Sequence, residues 1–343
     1  MTRRRIALVG LGMAVTPHAK SLLDLKDRAE VAAAFSPSES RRTAFAAKFP
    51  FPLVDNLDAI IRDKSITAVG VLTPPHTHLE IVTALARSGK HILLEKPLDI
   101  SMARSEALVR VAAEAGVSVG VVLQHRFKPA ALRVAAILKM EGLGQIVHCG
   151  AQIPLWRSQA YYNEAGRGTL ARDGGGVLIT QGIHILDLML SLAGPVSEVC
   201  GYSMTSAVHQ MQTEDLVCAA ARFANGAIGT IFATTAAYPG FAERIELIGT
   251  QGTAALVGAG LVVHYHDGRR EALPSDPPAL DAENNPMAFP HDYHLAVWRD
   301  FLDALDEGRA PGISAAEALK VHRLVESLLA AGAKGSTVCV PTQ

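Results

Sequence analysis

The chain has 343 residues, 49% of them hydrophobic and 19% charged, with a formal net charge of −1. That length exceeds the roughly 250–300 residues at which single cores stop growing, so two domains are expected. The near-neutral balance asks for neither nucleic acid nor an anionic membrane as partner, and no uninterrupted apolar run reaches the roughly 18 residues that span a bilayer.

Arg3-Arg4-Arg5 lacks the apolar stretch and cleavage site of a signal peptide. Cys149, Cys200, Cys218 and Cys339 are far apart and form no C-x-x-C. They read as reduced core residues of a cytoplasmic protein.

Short apolar runs predict strands over Arg5–Gly10, Val31–Phe35, Ala68–Leu72, His91–Leu94 and Val117–Leu123. Helical patterns lie between them, over Pro17–Lys26, Glu39–Lys48, Leu79–Ser88 and Met102–Ala115. Alternation of this kind describes an α/β, doubly wound parallel sheet, a Rossmann domain over residues 1–124. The strands are apolar throughout, as strands covered on both faces should be.

Three turns follow the strands. Gly10-Leu11-Gly12-Met13-Ala14-Val15 matches the first two glycines of G-x-G-x-x-G, with Val15 at the third. Strand before and helix after give the motif its required context, so Gly10, Gly12, Met13 and Ala14 are expected around a pyrophosphate. The second strand ends in Phe35-Ser36-Pro37-Ser38, without the acid an NAD site usually presents, and Arg41-Arg42 follow. Ser36 and Arg41 suit a 2′-phosphate and favour NADP over NAD; the alternative sets both arginines on a solvated helix face. After the third strand, Thr73, Pro74 and His78 read as a loop over the cofactor. The His76-x-His78 spacing has no local third ligand, and no metal is assigned.

His91–Leu98 ends a strand on Glu95-Lys96-Pro97. Pro97 cannot donate to a ladder and pushes Lys96 out of the helical region, so Lys96 should project from the strand's carboxyl end. Alone, the stretch reads more readily as a surface ion pair at a strand end, and the rest of the chain decides the matter.

The G-x-G turn, T-P-x-x-x-H and E-K-P, in this order, together with Gln124-His125-Arg126-Phe127, resemble the Gfo/Idh/MocA family of oxidoreductases. The resemblance implies a Rossmann domain followed by an α/β domain with a large, mostly antiparallel open-faced sheet. It implies that Lys96 helps to bind nicotinamide and substrate and acts in catalysis, with Glu95 and Gln124 at the same edge. It also implies a homodimer or homotetramer.

Beyond residue 125 strands are predicted over Gln145–Ile153, Val196–Ser206, Leu216–Phe223, Ala227–Ala236, Arg244–Gly249, Ala254–Val257 and Leu261–His266. Asn225-Gly226 and Asp267-Gly268 are hairpin turn pairs. Residues 274–291 read as a long irregular loop or lid. Helices over Tyr293–Asp306 and Ala315–Ala331 close the chain, and such C-terminal helices can pack back on the first domain. The second domain is placed at 125–343.

Asp173–Gly194 puts three glycines before an apolar helix on which Thr180, His184, Asp187 and Ser191 share one face. The stripe reads as a catalytic face carrying His184, or as a core histidine capped by Asp187. The family pattern has an acid where Thr180 stands, so an Asp-assisted relay is in doubt; Thr180-Gln181 is closer to a subgroup resembling nucleotide-sugar dehydrogenases. Asp187 is expected to orient rather than transfer a proton. Trp156, Arg157, Tyr162 and Arg167 suit stacking on a sugar and pairing with a carboxylate or phosphate, or else form a rim that holds the loop down.

The resulting expectation is an NAD(P)-dependent oxidoreductase of a sugar, cyclitol, uronic acid or nucleotide-sugar. His184 would take the hydroxyl proton and Lys96 would steady the same oxygen. The rival is a non-catalytic dinucleotide- or sugar-sensing regulator.

Overall fold

The structure, a computed structural model, describes residues 3–275 and 290–341. They fall into two compact units, residues 3–124 with 290–319, and residues 125–275 with 320–341. Most of the loop expected over 274–291 lies outside the described residues.

The first unit alternates β1 (Arg4–Val9), α1 (Val15–Asp24), β2 (Ala29–Phe35), α2 (Glu39–Ala46), β3 (Leu53–Val54), α3 (Leu57–Arg62), β4 (Ile66–Val71), α4 (His78–Arg87), β5 (His91–Glu95), α5 (Met102–Glu114) and β6 (Val119–Val122). The strands form a parallel sheet in the order β3-β2-β1-β4-β5-β6. Ile6, Ala7, Leu8, Val69 and Val71 have no solvent exposure, as doubly covered strands require. The strand order reverses between β1 and β4, and their carboxyl ends open the crevice where such sheets take ligands. Ser38, Asn56 and Ser101 cap α2, α3 and α5 by accepting backbone N–H groups. β3 and α3 escape the sequence reading because two and six residues are too short to show a period.

The second half begins with α6 (Pro129–Lys139), which has proline in its first turn, then β7 (Ile146–Pro154), α7 (Gln159–Tyr162) and α8 (Leu170–Asp173). A π-helical turn over Leu178–Gly182 leads into α9 (Ile183–Ala193). The strands are β8 (Val196–Met204), β9 (Leu216–Phe223), β10 (Ile228–Thr234), β11 (Arg244–Gly249), β12 (Gly252–Val257), β13 (Gly260–Tyr265) and β14 (Arg270–Leu273). Helices α10 (Asp292–Glu307) and α11 (Ala315–Lys334) follow, then β15 (Val338–Cys339). The sheet order is β14-β13-β12-β11-β7-β10-β9-β8-β15. β7 and β10 run parallel, and the other described pairings are antiparallel. Gly226 and Gly268 turn the β9–β10 and β13–β14 hairpins at φ 90° and 88°.

On β9, buried Val217, Ala221 and Phe223 alternate with exposed Cys218, Ala220 and Arg222, so one face is covered and the other open. α9 packs against β7 and β11 on the covered side. The helical run Leu170–Ala193 is apolar enough by composition to cross a membrane, yet 67% of its most apolar window is buried here, as in a core helix. The cysteine expectation needs correction: Cys149 is buried in β7, but Cys200, Cys218 and Cys339 are exposed. Strand alternation sends Cys200 and Cys218 to the open face.

α10 belongs to the first unit, where it packs on α1. Its Trp298 and Phe301 sit over glycines of the sheet: a Cβ at Gly70 would lie 3.1 Å from the indole, and one at Gly120 3.1 Å from the Phe301 ring. Small strand residues thus make the seat for two large buried aromatics, each worth about 3–5 kcal/mol against truncation to alanine.

Candidate active site

In the first unit the predicted cofactor residues gather at the carboxyl edge of the sheet. Gly10 leaves β1 at φ +103°, and a Cβ there would lie 2.6 Å from the Leu72 carbonyl carbon, so only glycine fits. Gly12 follows, with the exposed Arg41 guanidinium 3.8 Å from where its Cβ would be. Met13 is exposed and Ala14 half-buried, while Val15, in the third-glycine position, is buried at the start of α1. No side chain caps α1, and no acid lies in its first turn. Those N-terminal amides suit a phosphate.

Ser36 is buried and its hydroxyl accepts the Ser38 N–H at 3.4 Å, so it shapes the loop rather than lining it. Arg42 donates to the Ser36 carbonyl at 2.7 Å, which leaves Arg41 as the cation beside the glycine turn. Thr73 and Pro74 lead into a short 3-10 turn, where Thr77 Oγ1 donates to Thr73 Oγ1 at 2.8 Å.

His78 has no solvent exposure. Its Nε2 lies 2.8 Å from the Thr73 carbonyl, and Nδ1 lies 3.0 and 3.1 Å from the carbonyls of Pro97 and Leu98. Burial holds its pKa below the ordinary value, against these carbonyls and Asp99, which favour the cation. The His78 ring thus ties the Thr73 loop to the Pro97 turn from beneath.

Glu95, 9% exposed, turns its carboxylate into the protein toward His18 at 2.9 Å and accepts the Lys96 amide N–H at 3.1 Å. It supports the edge from below, and a surface ion pair does not describe it. Lys96 is half-buried, and the Lys96–Pro97 bond is cis. Gln124 follows β6, and its Oε1 is buried without a hydrogen-bond partner among the described residues. An orphaned amide acceptor, a glycine turn and an uncapped helix start fit a nicotinamide dinucleotide.

In the second unit, Gly176 lies where a Cβ would be 1.8 Å from the Glu214 carbonyl oxygen. The Glu214 carboxylate accepts the N–H groups of Gly176 at 2.9 Å and Leu178 at 3.1 Å. Burial raises its pKa, while those amides pull the other way. The glycine run thus lets the chain close on a buried acid that caps the π-turn.

The π-turn separates Thr180 from the expected stripe. Thr180 Oγ1 bonds the Gly176 carbonyl at 2.6 Å and the Gln181 side chain. His184, half-buried, stacks on His125 with centroids 4.8 Å apart. Asp187, 1% exposed, is gripped by Arg126, Nε to Oδ2 at 2.7 Å and Nη2 to Oδ1 at 2.5 Å. Its carboxylate is thus held by Arg126 in a two-point fork. Ser191 donates to the Leu188 carbonyl within the helix.

Tyr162 also departs from expectation. It is 8% exposed, bonds Thr235 Oγ1 at 2.7 Å, and burial pushes its pKa up to about 12. It belongs to the core. The neighbouring Tyr161, absent from the expected set, takes the outward role. Arg167 lies 4.2 Å over its ring and donates to its hydroxyl at 2.6 Å, Arg157 is 5.6 Å from its centroid, and Gln181 reaches its hydroxyl at 3.4 Å. Adjacent tyrosines on one helical turn point about 100° apart, and nothing in Tyr-Tyr says which faces out. Trp156 packs edge-on to Tyr238, with centroids 5.3 Å apart. Beneath, His209 bridges Asp215 at 2.6 Å and the Arg157 carbonyl at 2.8 Å, holding that arginine's backbone. Arg157 Nη1 donates to the Trp156 carbonyl, while its Nε is buried without a hydrogen-bond partner among the described residues.

A parallel sheet that reverses order beside a glycine turn, in one chain with a large, mostly antiparallel sheet, is the architecture of a dinucleotide-dependent oxidoreductase. Residues 4–123 match the oxidoreductase family with an NAD-binding Rossmann fold, and residues 131–255 match the GFO/IDH/MocA C-terminal domain. The chain belongs to the Gfo/Idh/MocA family of oxidoreductases.

It is 26% identical to D-apiose dehydrogenase of Paraburkholderia graminis over 342 residues, covering 97% of this chain and 88% of that one. It is also 26% identical to scyllo-inositol 2-dehydrogenase (NAD(+)) of Bacillus subtilis over 267 residues, covering 76% and 75%. The WlbA dehydrogenase from Bordetella pertussis, solved in complex with NADH and UDP-GlcNAcA, is similar with a TM-score of 0.85 and 25% identity, covering 100% of both chains.

Proposed function

We propose that this dehydrogenase transfers a hydride between a nicotinamide dinucleotide and a secondary alcohol, or the matching ketone, of a sugar-like substrate that carries an acidic group, such as a uronic acid or a nucleotide-sugar. The observation that carries the reading is the Tyr161 platform: Arg157 and Arg167 lie against it, Gln181 touches its hydroxyl, and Arg157 keeps a buried N–H without a partner among the described residues. An aromatic face flanked by two guanidinium groups suits a sugar ring bearing a carboxylate or phosphate. The UDP-GlcNAcA held in the WlbA complex supports that chemistry for that protein.

When bound, the dinucleotide supplies the hydride acceptor or donor. Lys96 hydrogen-bonds the reacting oxygen and steadies developing alkoxide charge. His184 takes or returns the hydroxyl proton. Thr180 is not a base, and its hydroxyl is engaged with Gly176 and Gln181. The dehydrogenase relatives favour catalysis over a sensing role.

We read the dinucleotide as NADP in preference to NAD, on Arg41 beside Gly12 and on the lack of an acid from Phe35 to Ser38. The open face of the second sheet, with exposed Tyr202, Met204 and Ile228, supports self-association as a dimer or tetramer; a monomeric mass in light scattering would refute it. The cysteines, all free, suit a reducing, cytoplasmic compartment, a reading that fractionation of cells would test.

The experiment is a turnover screen by NAD(P)H absorbance over neutral sugars, uronates and nucleotide-sugars, with Lys96→Ala and His184→Ala alongside. Acidic substrates should be preferred, and each variant should lose about 100-fold or more in kcat while still binding cofactor. Undiminished turnover in both variants, or preference for neutral sugars, refutes the reading.

A further inference from the structure

Beneath Lys96 lies a chain of buried polar groups that the proposed reaction does not use. Trp298 on α10, without solvent exposure, points its indole N–H at His18 Nδ1 on α1, 3.0 Å away. His18, equally buried, faces Glu95 Oε1 with Nε2 at 2.9 Å. Glu95 Oε2 accepts the backbone N–H of Lys96 at 3.1 Å. His294, also on α10, packs edge-on to the His18 ring with centroids 5.0 Å apart, and its Nε2 is 3.9 Å from the same carboxylate oxygen.

Hydrogen-bond chemistry fixes the protons. An indole nitrogen can only donate, so His18 Nδ1 must be the acceptor. The imidazole proton then sits on Nε2 and points at Glu95. His18, Glu95 and His294 are close enough together to suggest a metal site. Ligation through Nε2, however, would move the proton to Nδ1, against the indole N–H. The indole therefore selects a donor chain ending on a carboxylate, and the carboxylate ends on the amide of Lys96.

We infer that His18 and Trp298 are positioning residues of the dehydrogenase, which lock Glu95 in place as an anion and through it fix the backbone from which Lys96 projects. The inference rests on the reading of Lys96 as a residue of the reaction. Around Glu95 the groups that bear on its charge are His18 from α1, His294 from α10 and Lys96 from its own strand end. Burial alone would raise the Glu95 pKa, but the His18 hydrogen bond and the charge of Lys96 hold it low. His294 is pushed down to about 3, mainly by burial, so it stands neutral beside the pair.

The test compares Trp298→Phe, His18→Leu, His18→Gln and Glu95→Gln with wild type, using Lys96→Ala as the reference. Trp298→Phe keeps the ring and removes the N–H; His18→Gln keeps a donor for Glu95, which His18→Leu does not. The expected result is a fall in kcat of about 10-fold for Trp298→Phe and about 100-fold for His18→Leu, with KM values nearly unchanged, because misplacing a reacting group costs rate before binding. His18→Gln should regain most of the loss. Glu95→Gln should move the alkaline limb of the kcat profile to lower pH, since a neutral amide no longer favours the charged form of Lys96.

Unchanged kcat in Trp298→Phe and His18→Leu, a His18→Gln as slow as His18→Leu, an unmoved alkaline limb, or a stoichiometric metal in the purified protein would each overturn the inference. Wild-type turnover in Lys96→Ala overturns the reading beneath it as well. Loss in Lys96→Ala with full activity in the His18 variants overturns the positioning role alone.

Discussion

Replacing Arg126 by methionine isolates the contribution of one buried ion pair. The substitution keeps an unbranched side chain and removes the charge facing Asp187, which is 1% exposed and held through two N–H groups. A carboxylate left buried without its partner costs about 3–5 kcal/mol. At about 2–4 °C per kcal/mol for a unit of this size, the unfolding midpoint of the second unit should fall by roughly 10 °C. Removing both charges, Arg126→Met with Asp187→Leu, should recover most of that loss, because an apolar pair of similar volume can replace a buried ion pair at little cost.

The two tryptophans make the measurement direct, since Trp156 lies in the second unit and Trp298 in the first. In a Trp298→Phe background, urea unfolding followed by fluorescence reports the second unit through Trp156 alone. Arg126→Met within about 1 kcal/mol of its parent, or a double variant no better than the single one, would refute the reasoning.

Arg41→Ala should weaken NADPH binding by about 10-fold or more and leave NADH nearly unaffected, as loss of a charge-assisted contact to a 2′-phosphate requires; equal losses for both, read by nicotinamide fluorescence, would place the arginine on a solvated face. His322 on α11 is 6% exposed, and burial lowers its pKa from 6.5 to about 4. A lowered histidine pKa means the unfolded chain takes up the proton first, so its contribution to stability is present above pH 6.5 and is lost as pH falls toward 4. The loss is about 2 kcal/mol near pH 5, and His322→Leu should flatten the stability slope between neutral pH and pH 5 by that amount; an unaltered slope in denaturant titrations counts against it.

Much of the first unit was legible because its signals are local. A β-branched run, a glycine pair and a helix pattern each act over a few residues, and E-K-P marks its own strand end. What stayed hidden depends on groups far apart in sequence. Nothing around Glu95 announces that His18 and Trp298 would close on it, because that chain joins α1, β5 and α10. Likewise, the glycines before α9 read as a flexible entry, whereas Gly176 is required by Glu214, a residue on the far side of β8.

The stripe on α9 shows the limit most clearly. Thr180, His184, Asp187 and Ser191 share a face only if every turn is α-helical. A π-turn over Leu178–Gly182 spaces its hydrogen bonds five residues apart, so Thr180 slips off the line of His184 and turns to Gly176 and Gln181. That slip has a chemical consequence. It connects the segment before His184, through Gln181, to Tyr161 and its arginines. The helix face that looked like an acid–base relay therefore divides: His184 stacks on His125, Asp187 is bound to Arg126, and the π-turn ahead of them joins the residues proposed to grip the substrate.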